Sequence, residues 1–373
     1  TEVRLPRGAG SETESSWVGA IGAHRWDDRY WHPDGPPSGE QADRPTFVYG
    51  YPLIPGLVEA ARRTVISPGI SHRSIAVHGN HDGLLQGTVP PDAVTRVLAT
   101  GSERIIGLDP TFSPTQASQA IEQTGPASYP TTPSSPRLTI TPDNARDFVG
   151  PTDFARVLTG RDCNYFSTDV GDIRLISLDT VNLNGGWQGS IDETQFDWLG
   201  ERLAEAAGRY VVIASHHPSP TLTNDYAPAG SGRRVLGAEV VELLLRHPQV
   251  IAWMAGHIHH HAALWHGGDV SGFWEFTTAS IIDWPQQARI VEMVRVFDRG
   301  RPEIAIVSTI VDHVAGADWR RDSLADPVGM AAVSRALAAN DYRIRDGGST
   351  GHVRDSSPGA RNTVWRLPDP LGG

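Results

Sequence analysis

Three short segments of the chain carry side chains that can bind a metal ion. They are Asn80–Asp82 in the stretch AVHGNHDG, His216–His217 in YVVIASHHP, and His257–His259 in VIAWMAGHIHHH. Each segment follows an apolar, β-branched run that predicts a strand, which for the first segment covers residues 74–78. Imidazole nitrogens and an amide oxygen suit zinc, iron, manganese or a similar divalent ion. The residue types therefore predict metal-dependent chemistry at the ends of three strands.

The predicted strands explain how segments so distant in the chain can meet. In open α/β sheets, ligand sites form at the carboxyl ends of strands, so three polar strand ends can lie side by side. On an extended chain His257 and His259 would point to the same face, because side chains alternate with a period of two. In a loop, the pair can instead divide between two ions. Taken singly, the first segment also fits a turn and the second fits a core histidine pair. The third, together with His260 and His261, fits a solvent-facing loop. The combination favours the metal site.

The same segments carry a resemblance to a known family. GNHD (79–82), ASHHP (214–218) and GHIH (256–259) resemble the last three consecutive motifs of the calcineurin-like metallophosphoesterase superfamily. The resemblance covers roughly residues 74 to 313, and LISLDTVNLNGG, GFWEFTTASIIDWPQQ and STIVDH look like a bacterial subgroup. It implies an α/β fold in which a β-sandwich is flanked by helices. It also implies a two-metal site at one edge and a small phosphoester, either a monoester or a diester, as substrate.

The family roles fall on residues of the matching motifs. The resemblance implies that Asn80, His216 and His257 bind one metal ion and that His259 binds the other. It also implies that His81 protonates the leaving alkoxide as general acid. In such a site two ions about 3.5–4 Å apart lower the pKa of a shared water and hold the attacking and leaving oxygens.

Several polar neighbours have two interpretations each. Asp82 either orients His81 or caps its loop, and we favour capping. His217 either contacts the substrate phosphate or packs beside the site. Three residues after a predicted strand either line the pocket or form a turn: Asp179, Asn182 and Asn184.

Two motifs that precede GNHD in the family have no counterpart in this sequence. No histidine has an Asp two positions earlier, as Asp-x-His requires, and neither Gly171-Asp172 nor Gly268-Asp269 continues as Gly-Asp-x-x-Asp. In the family these motifs supply an Asp and a His for one ion and the Asp that bridges both ions. We therefore expect the first strands of the fold to be missing and the site with His259 to be empty. The chain would then bind at most one ion.

Three hypotheses follow for the activity. The first is a metallophosphoesterase that lacks its N-terminal portion through truncation, a wrong start or processing, in agreement with a first residue, Thr1, that is not Met. Under this hypothesis the 373 residues are not expected to be fully active. The second is a catalytically inactive fold that serves as a binding module. The third is a mononuclear zinc hydrolase with a fourth ligand that the sequence does not identify.

The surrounding elements predict one large domain with irregular ends. Residues 1–45 are predicted to be irregular, residues 46–315 to form the metallophosphoesterase-like domain, and residues 316–373 to form a helix and a tail. Residues 108–147 are rich in Pro, Ser and Thr and predict an insertion or a lid. Helices are predicted at residues 56–63 and in ETQFDWLGERLAEAA, AEVVELLLRH and DPVGMAAVSRALAAND. Besides those before the metal segments, strands are predicted in NYFSTDVGDIRLISLDT, FWEFTTASI, ARIVEMVRVF and EIAIVSTIVDH.

Composition disfavours several classes of function. The net charge of −11 disfavours a protein that coats nucleic acid or an anionic membrane. All 32 basic residues are Arg, so lysine-based chemistry is excluded, and the single cysteine, Cys163, excludes an internal disulfide and a CxxC zinc site. No run approaches the ~20 apolar residues of a membrane span, and the polar first residues predict no signal peptide. Compartment and oligomeric state stay open.

Overall fold

The computed structural model of the chain describes residues 2–3, 28, 31–61, 63–66, 69, 71–72, 74–105, 111, 113, 116, 133–268, 271–314, 324–340, 359 and 361–372. The strands are β1 (Glu2–Val3), β2 (Val65–Ile66), β3 (Glu103–Ile105), β4 (Arg137–Thr139), β5 (Phe166–Val170), β6 (Ile173–Ser177), β7 (Ile191–Asp192), β8 (Tyr210–Ala214), β9 (Arg234–Val235), β10 (Val250–Ala255), β11 (Ala262–Gly267), β12 (Gly272–Thr277), β13 (Ala288–Asp298), β14 (Arg301–Val311) and β15 (Thr363–Pro368). The helices are α1 (Arg44–Tyr49), α2 (Leu57–Ala61), α3 (Asn80–Gly83), α4 (Ala93–Thr100), α5 (Pro151–Thr159), α6 (Glu193–Ala204), α7 (Gly237–Leu245) and α8 (Pro327–Ala339).

A mixed six-stranded sheet forms the centre of the fold, in the order β11-β12-β10-β8-β6-β5. The four middle strands run parallel, and the two edge strands run antiparallel to their neighbours. Parallel strands that are buried on both faces are nearly continuous apolar runs, and β8 (YVVIA) and β10 (VIAWMA) have this composition. Because β8 and β10 are parallel neighbours, their carboxyl ends lie side by side.

A second sheet packs on one face of the central sheet. It is antiparallel, in the order β13-β14-β15. Its residues Ile304, Ile306 and Leu367 form one buried cluster with Val212 and Phe276 of the central sheet. Two sheets packed in this way form a sandwich, so the predicted β-sandwich is confirmed.

Two helices pack on the opposite face of the central sheet. Leu199 and Leu203 of α6 and Val240 and Leu244 of α7 share a buried cluster with Trp253 of β10. These positions recur at intervals of three or four, which gives each helix one apolar face. Side chains alternate along a strand, so this cluster and the cluster beneath the second sheet lie on opposite faces of the central sheet. The predicted α/β fold with flanking helices is therefore confirmed.

The structure corrects one predicted strand and adds eight, of which six are short strands of two or three residues and two are longer. Residues 74–78 run as irregular chain, because no described strand pairs with them and an apolar run alone does not make a ladder. The edge strand β11 and the late strand β15 were not predicted. Helix α8 packs through Val333 against Ile54 and Leu57 near the start of the described region.

Much of the predicted irregular segment 1–45, of the insertion 108–147 and of the tail lies outside the described residues. The predicted domain boundaries therefore stay predictions. Within the described part of the chain, none of the helices is both long enough and apolar enough to cross a membrane.

Candidate metal centre

The metal-binding segments meet at the carboxyl ends of β8 and β10. His216 lies two residues after the last residue of β8, and His257 lies two residues after the last residue of β10. Asn80, the first residue of α3, reaches the same place from a distant part of the chain. The structure thus brings together the three residues predicted to bind one ion.

Three potential ligand atoms face one another in this centre. His216 Nε2 lies 2.9 Å from Asn80 Oδ1 and 3.2 Å from His257 Nδ1. The Asn80 amide nitrogen donates a hydrogen bond to the Gly87 carbonyl at 2.9 Å, which turns the amide oxygen toward His216. We call Asn80, His216 and His257 the metal centre.

The separations in the metal centre fit one tetrahedral ion. Zinc bonds of about 2.0–2.2 Å to nitrogen and oxygen place neighbouring ligands about 3.3 Å apart. The observed separations of 2.9 and 3.2 Å are close to this value. These residues therefore fit three protein ligands of an ion that keeps its fourth position open.

Burial keeps the imidazoles of the metal centre neutral. Loss of hydration, followed by the nearby His257 and His259, lowers the pKa of His216 to about 3. Loss of hydration, followed by His259 and His81, lowers the pKa of His257 to about 4. Because metal ions bind the neutral imidazole, both side chains are available as ligands at neutral pH.

His217 lies beside the metal centre, but its ring nitrogens are occupied. Ligand atoms of His216, His217 and His257 lie within 4.8 Å of one another. However, His217 Nε2 donates to the Trp187 carbonyl at 3.0 Å and its Nδ1 lies 2.8 Å from the Thr180 hydroxyl. The side chain is fully buried, and burial lowers its pKa to about 2. This geometry favours packing beside the site over contact with a phosphate.

His259 is oriented by its backbone conformation and by a hydrogen bond to a carboxylate. His257 and His259 both adopt positive φ angles, of 66° and 56°, so the extended geometry that would point them to one face does not apply. His259 Nδ1 instead lies 2.5 Å from Asp283 Oδ2, in the loop after β12. A carboxylate on one ring nitrogen fixes the tautomer and leaves the other nitrogen as the possible ligand. Sequence reasoning missed Asp283, although it also follows a parallel strand of the central sheet.

The GNHD segment forms a short capped turn around the metal centre. The Asp82 carboxylate accepts a hydrogen bond from the Gly79 amide at 2.9 Å, which agrees with the capping interpretation. His81 is exposed to solvent next to the buried Asn80. Its position leaves it free to meet a ligand that approaches the centre from solvent.

Buried polar groups fix the chain that leaves β8 after the two histidines. The Glu275 carboxylate, 2% exposed, accepts hydrogen bonds from the Ser219 amide and the Ser219 hydroxyl, each at 2.6 Å. The same carboxylate lies 2.6 Å from His266 Nε2. Since Ser219 follows His216 by three residues, this network supports the loop that carries this candidate ligand.

The residues after β6 form a second supporting loop. The Asp179 carboxylate lies 3.1 Å from His78 Nδ1 and accepts the Val181 amide at 3.2 Å. Asn182 accepts hydrogen bonds from the Asn184 backbone and side chain. These contacts are those of turn-forming residues, which is one of the two interpretations of the sequence.

No carboxylate joins the cluster of ligands within the described residues. The group of three or more metal-competent His, Cys, Asp or Glu side chains found there consists of His216, His217 and His257 alone. Within the described part of the chain, this cluster therefore contains no carboxylate that could bridge two ions.

Comparison with known proteins adds three findings. The profile of the calcineurin-like phosphoesterase family matches residues 48–261, which is more than half of the chain. A probable cyclic nucleotide phosphodiesterase of Synechococcus sp. (strain WH7803) is 36% identical over 95 residues, which cover 25% of this chain and 35% of that protein. The chain thus spans about a third of the length of this curated relative. A dimetal phosphatase from Danio rerio matches with a TM-score of 0.29 and 18% identity, over 42% of this chain and 60% of that one.

Proposed function

Because the chain belongs to the calcineurin-like phosphoesterase family, we propose that it hydrolyses a small phosphoester with a divalent ion held by Asn80, His216 and His257. The observation that carries this proposal is the convergence of one amide oxygen and two neutral imidazoles at the ends of two parallel strands. The family supports the reaction class, and this convergence supports the proposed place of the reaction.

The side chains around the metal centre have distinct roles in the proposed reaction. When bound, a divalent ion lowers the pKa of a water molecule and polarises a phosphoryl oxygen. Asn80, held through Gly87, fixes one side of the coordination sphere. His81, next to Asn80 and open to solvent, donates a proton to the leaving alkoxide.

We propose one ion per chain, which would be zinc, manganese or iron. The support is that the metal centre has three candidate ligands for one ion, whereas a second ion beside it would have only the pair of His259 and Asp283 among the described residues. The alternative is a binding module without hydrolytic activity. It is supported by the lack of a bridging carboxylate among the described residues.

We propose a phosphodiester, with cyclic nucleotides as the first class to examine. The support is the matched segment of the probable cyclic nucleotide phosphodiesterase, which is 36% identical over 95 residues. The net charge of −11 disfavours long polyanions as substrates.

Metal content and hydrolysis, measured together, test the proposal. The full chain is exposed to zinc, manganese or iron, and its metal content is then measured by elemental analysis. The rates of hydrolysis of bis(p-nitrophenyl) phosphate and of cyclic AMP are measured with each ion. We expect one ion per chain and metal-dependent hydrolysis. His81→Ala is expected to keep the ion and to slow hydrolysis about 10²- to 10⁴-fold.

His247→Ala provides the matched control. His247 precedes β10, at the opposite end of the strand from His257, so its loss is expected to change neither metal content nor rate. One ion without hydrolysis of either ester would support the binding module. Two tightly held ions would refute the proposed stoichiometry.

A further inference from the structure

Trp187 presents an exposed aromatic ring at the metal centre. Its ring lies nearly parallel to that of His257, with an interplanar angle of 23° and 5.7 Å between ring centroids. Yet Trp187 is 39% exposed. An exposed tryptophan next to a partly buried histidine cluster is unusual, because most of its large apolar surface is normally removed from water.

The backbone around Trp187 is held by buried hydrogen bonds. The Trp187 carbonyl accepts from the fully buried His217 Nε2 at 3.0 Å. The buried Asn224 amide donates to the carbonyls of Gly185 and Gln188, at 2.7 and 3.2 Å, on either side of Trp187. The loop is therefore fixed before any ligand arrives, and the exposed ring is held at a defined place.

The loop is also tied to the segment that supplies Asn80. The Gly186 amide donates to the Thr88 carbonyl at 2.8 Å, and Gly185 and Gly186 adopt φ angles of 114° and 88° that favour glycine. Trp187 consequently keeps a fixed position relative to both Asn80 and His257. A ligand whose phosphate lies at the metal centre would have the indole ring within reach of its ester group.

We propose that Trp187 forms a stacking subsite for a planar aromatic base, so that the preferred ligands are nucleoside phosphoesters. This inference rests on the proposed function, because it takes the phosphate to lie at the metal centre. Since Trp187 is 39% exposed, part of its side chain is open to a ligand, and stacking on a base needs no hydrogen-bond pattern. The subsite would therefore accept different bases.

Equilibrium binding of two probes tests the subsite without turnover. AMP and ribose 5-phosphate carry the same sugar phosphate and differ by the base, so the ratio of their dissociation constants reports on base stacking. Calorimetric titration of the zinc-loaded full chain is expected to show AMP binding at least about tenfold more tightly, which is within the range for one stacked base. Trp187→Leu is expected to remove most of this preference. Trp187→Phe, which keeps a smaller ring over His257, is expected to retain part of it.

The outcomes separate this inference from the proposed function. Equal affinity of the wild-type protein for both probes, or no measurable affinity for AMP, would overturn the subsite. So would a full preference for AMP in both Trp187 variants. Zinc content is measured in each variant. If Trp187→Leu loses the ion, the preference for AMP is judged from Trp187→Phe instead. A wild-type protein that prefers AMP but hydrolyses no phosphoester would contradict the proposed hydrolysis and leave the subsite standing.

Discussion

Substitution of Gly79 by Ala tests whether close packing positions His216, the proposed metal ligand. Gly79 has φ −114° and ψ 165°, a conformation that alanine also adopts, so the substitution introduces no backbone strain. The added methyl group would instead lie 2.9 Å from Cε1 and Nδ1 of the His216 ring. The perturbation therefore acts on the imidazole alone.

The structure sets the size of the effect. Ordinary contacts of a Cβ atom begin near 3.4 Å, so the imidazole must move by about 0.5 Å to accept the methyl group. Metal–ligand distances tolerate only about 0.2 Å. We therefore expect zinc affinity to fall about 10- to 100-fold, as when a group that orients a ligand is lost. Overpacking should also lower the free energy of unfolding of the zinc-free protein by about 1–3 kcal/mol.

Two measurements and one control isolate this effect. Zinc affinity is measured by competition with a chromophoric chelator, and the free energy of unfolding by urea denaturation of the zinc-free protein. Gly200→Ala, in α6, has no atom within 4 Å of its added Cβ. It should keep zinc affinity and gain about 0.5–1 kcal/mol of stability. If Gly79→Ala bound zinc within twofold of the wild-type affinity, the reasoning from packing would be refuted.

The remaining predictions concern the groups that support the metal centre. The free energy of unfolding of the zinc-free protein should fall as the pH drops below about 6.5, by about 1.4 kcal/mol per pH unit for each buried histidine of depressed pKa. The reason is that the unfolded chain then binds protons that the folded chain excludes. Urea denaturation between pH 7.5 and 4.5 measures this dependence, and a free energy of unfolding that does not change with pH would contradict it. Glu275→Gln should lower the free energy of unfolding by about 2–3 kcal/mol, because the buried Ser219 donors and His266 lose a charged acceptor. A decrease below about 0.5 kcal/mol would contradict a stabilising role of these hydrogen bonds. Thr180→Val should lower the free energy of unfolding by about 1–3 kcal/mol by leaving His217 Nδ1 unpaired, while elemental analysis should find the zinc content unchanged under the proposal that His217 is not a ligand.

The sequence predicted that His216 and His257 lie close together because the relevant signals are local, whereas their binding of a metal ion stays a prediction. The apolar runs of β8 and β10 mark buried parallel strands, and neighbouring strands of this kind end together. This was sufficient to place His216 beside His257, and the GNHD resemblance added Asn80. The alternation of strands and helices predicted an α/β fold, and the family resemblance added the β-sandwich with flanking helices.

The features that the sequence did not predict depend on tertiary contacts. Residues 74–78 have the composition of a strand, but a ladder needs a partner, and none of the described strands pairs with them. The contact between His259 and Asp283 depends on a positive φ at a histidine, which residue type rarely indicates. Trp187 has an apolar side chain that predicts burial, and only the fixed loop around it keeps its ring exposed.

The positions of the ligands along the chain have a consequence for folding. Asn80 and His216 are separated by 136 residues, and His216 and His257 by 41, so one ion held by all three would close two long loops at once. Only the folded chain brings the three side chains together, in a sequence whose single cysteine cannot form a disulfide within the chain. An ion that binds only the folded chain, at a free concentration 100 times its dissociation constant, would add about 2.7 kcal/mol to the free energy of unfolding. The supply of metal would then set the lifetime of the folded chain as well as its chemistry.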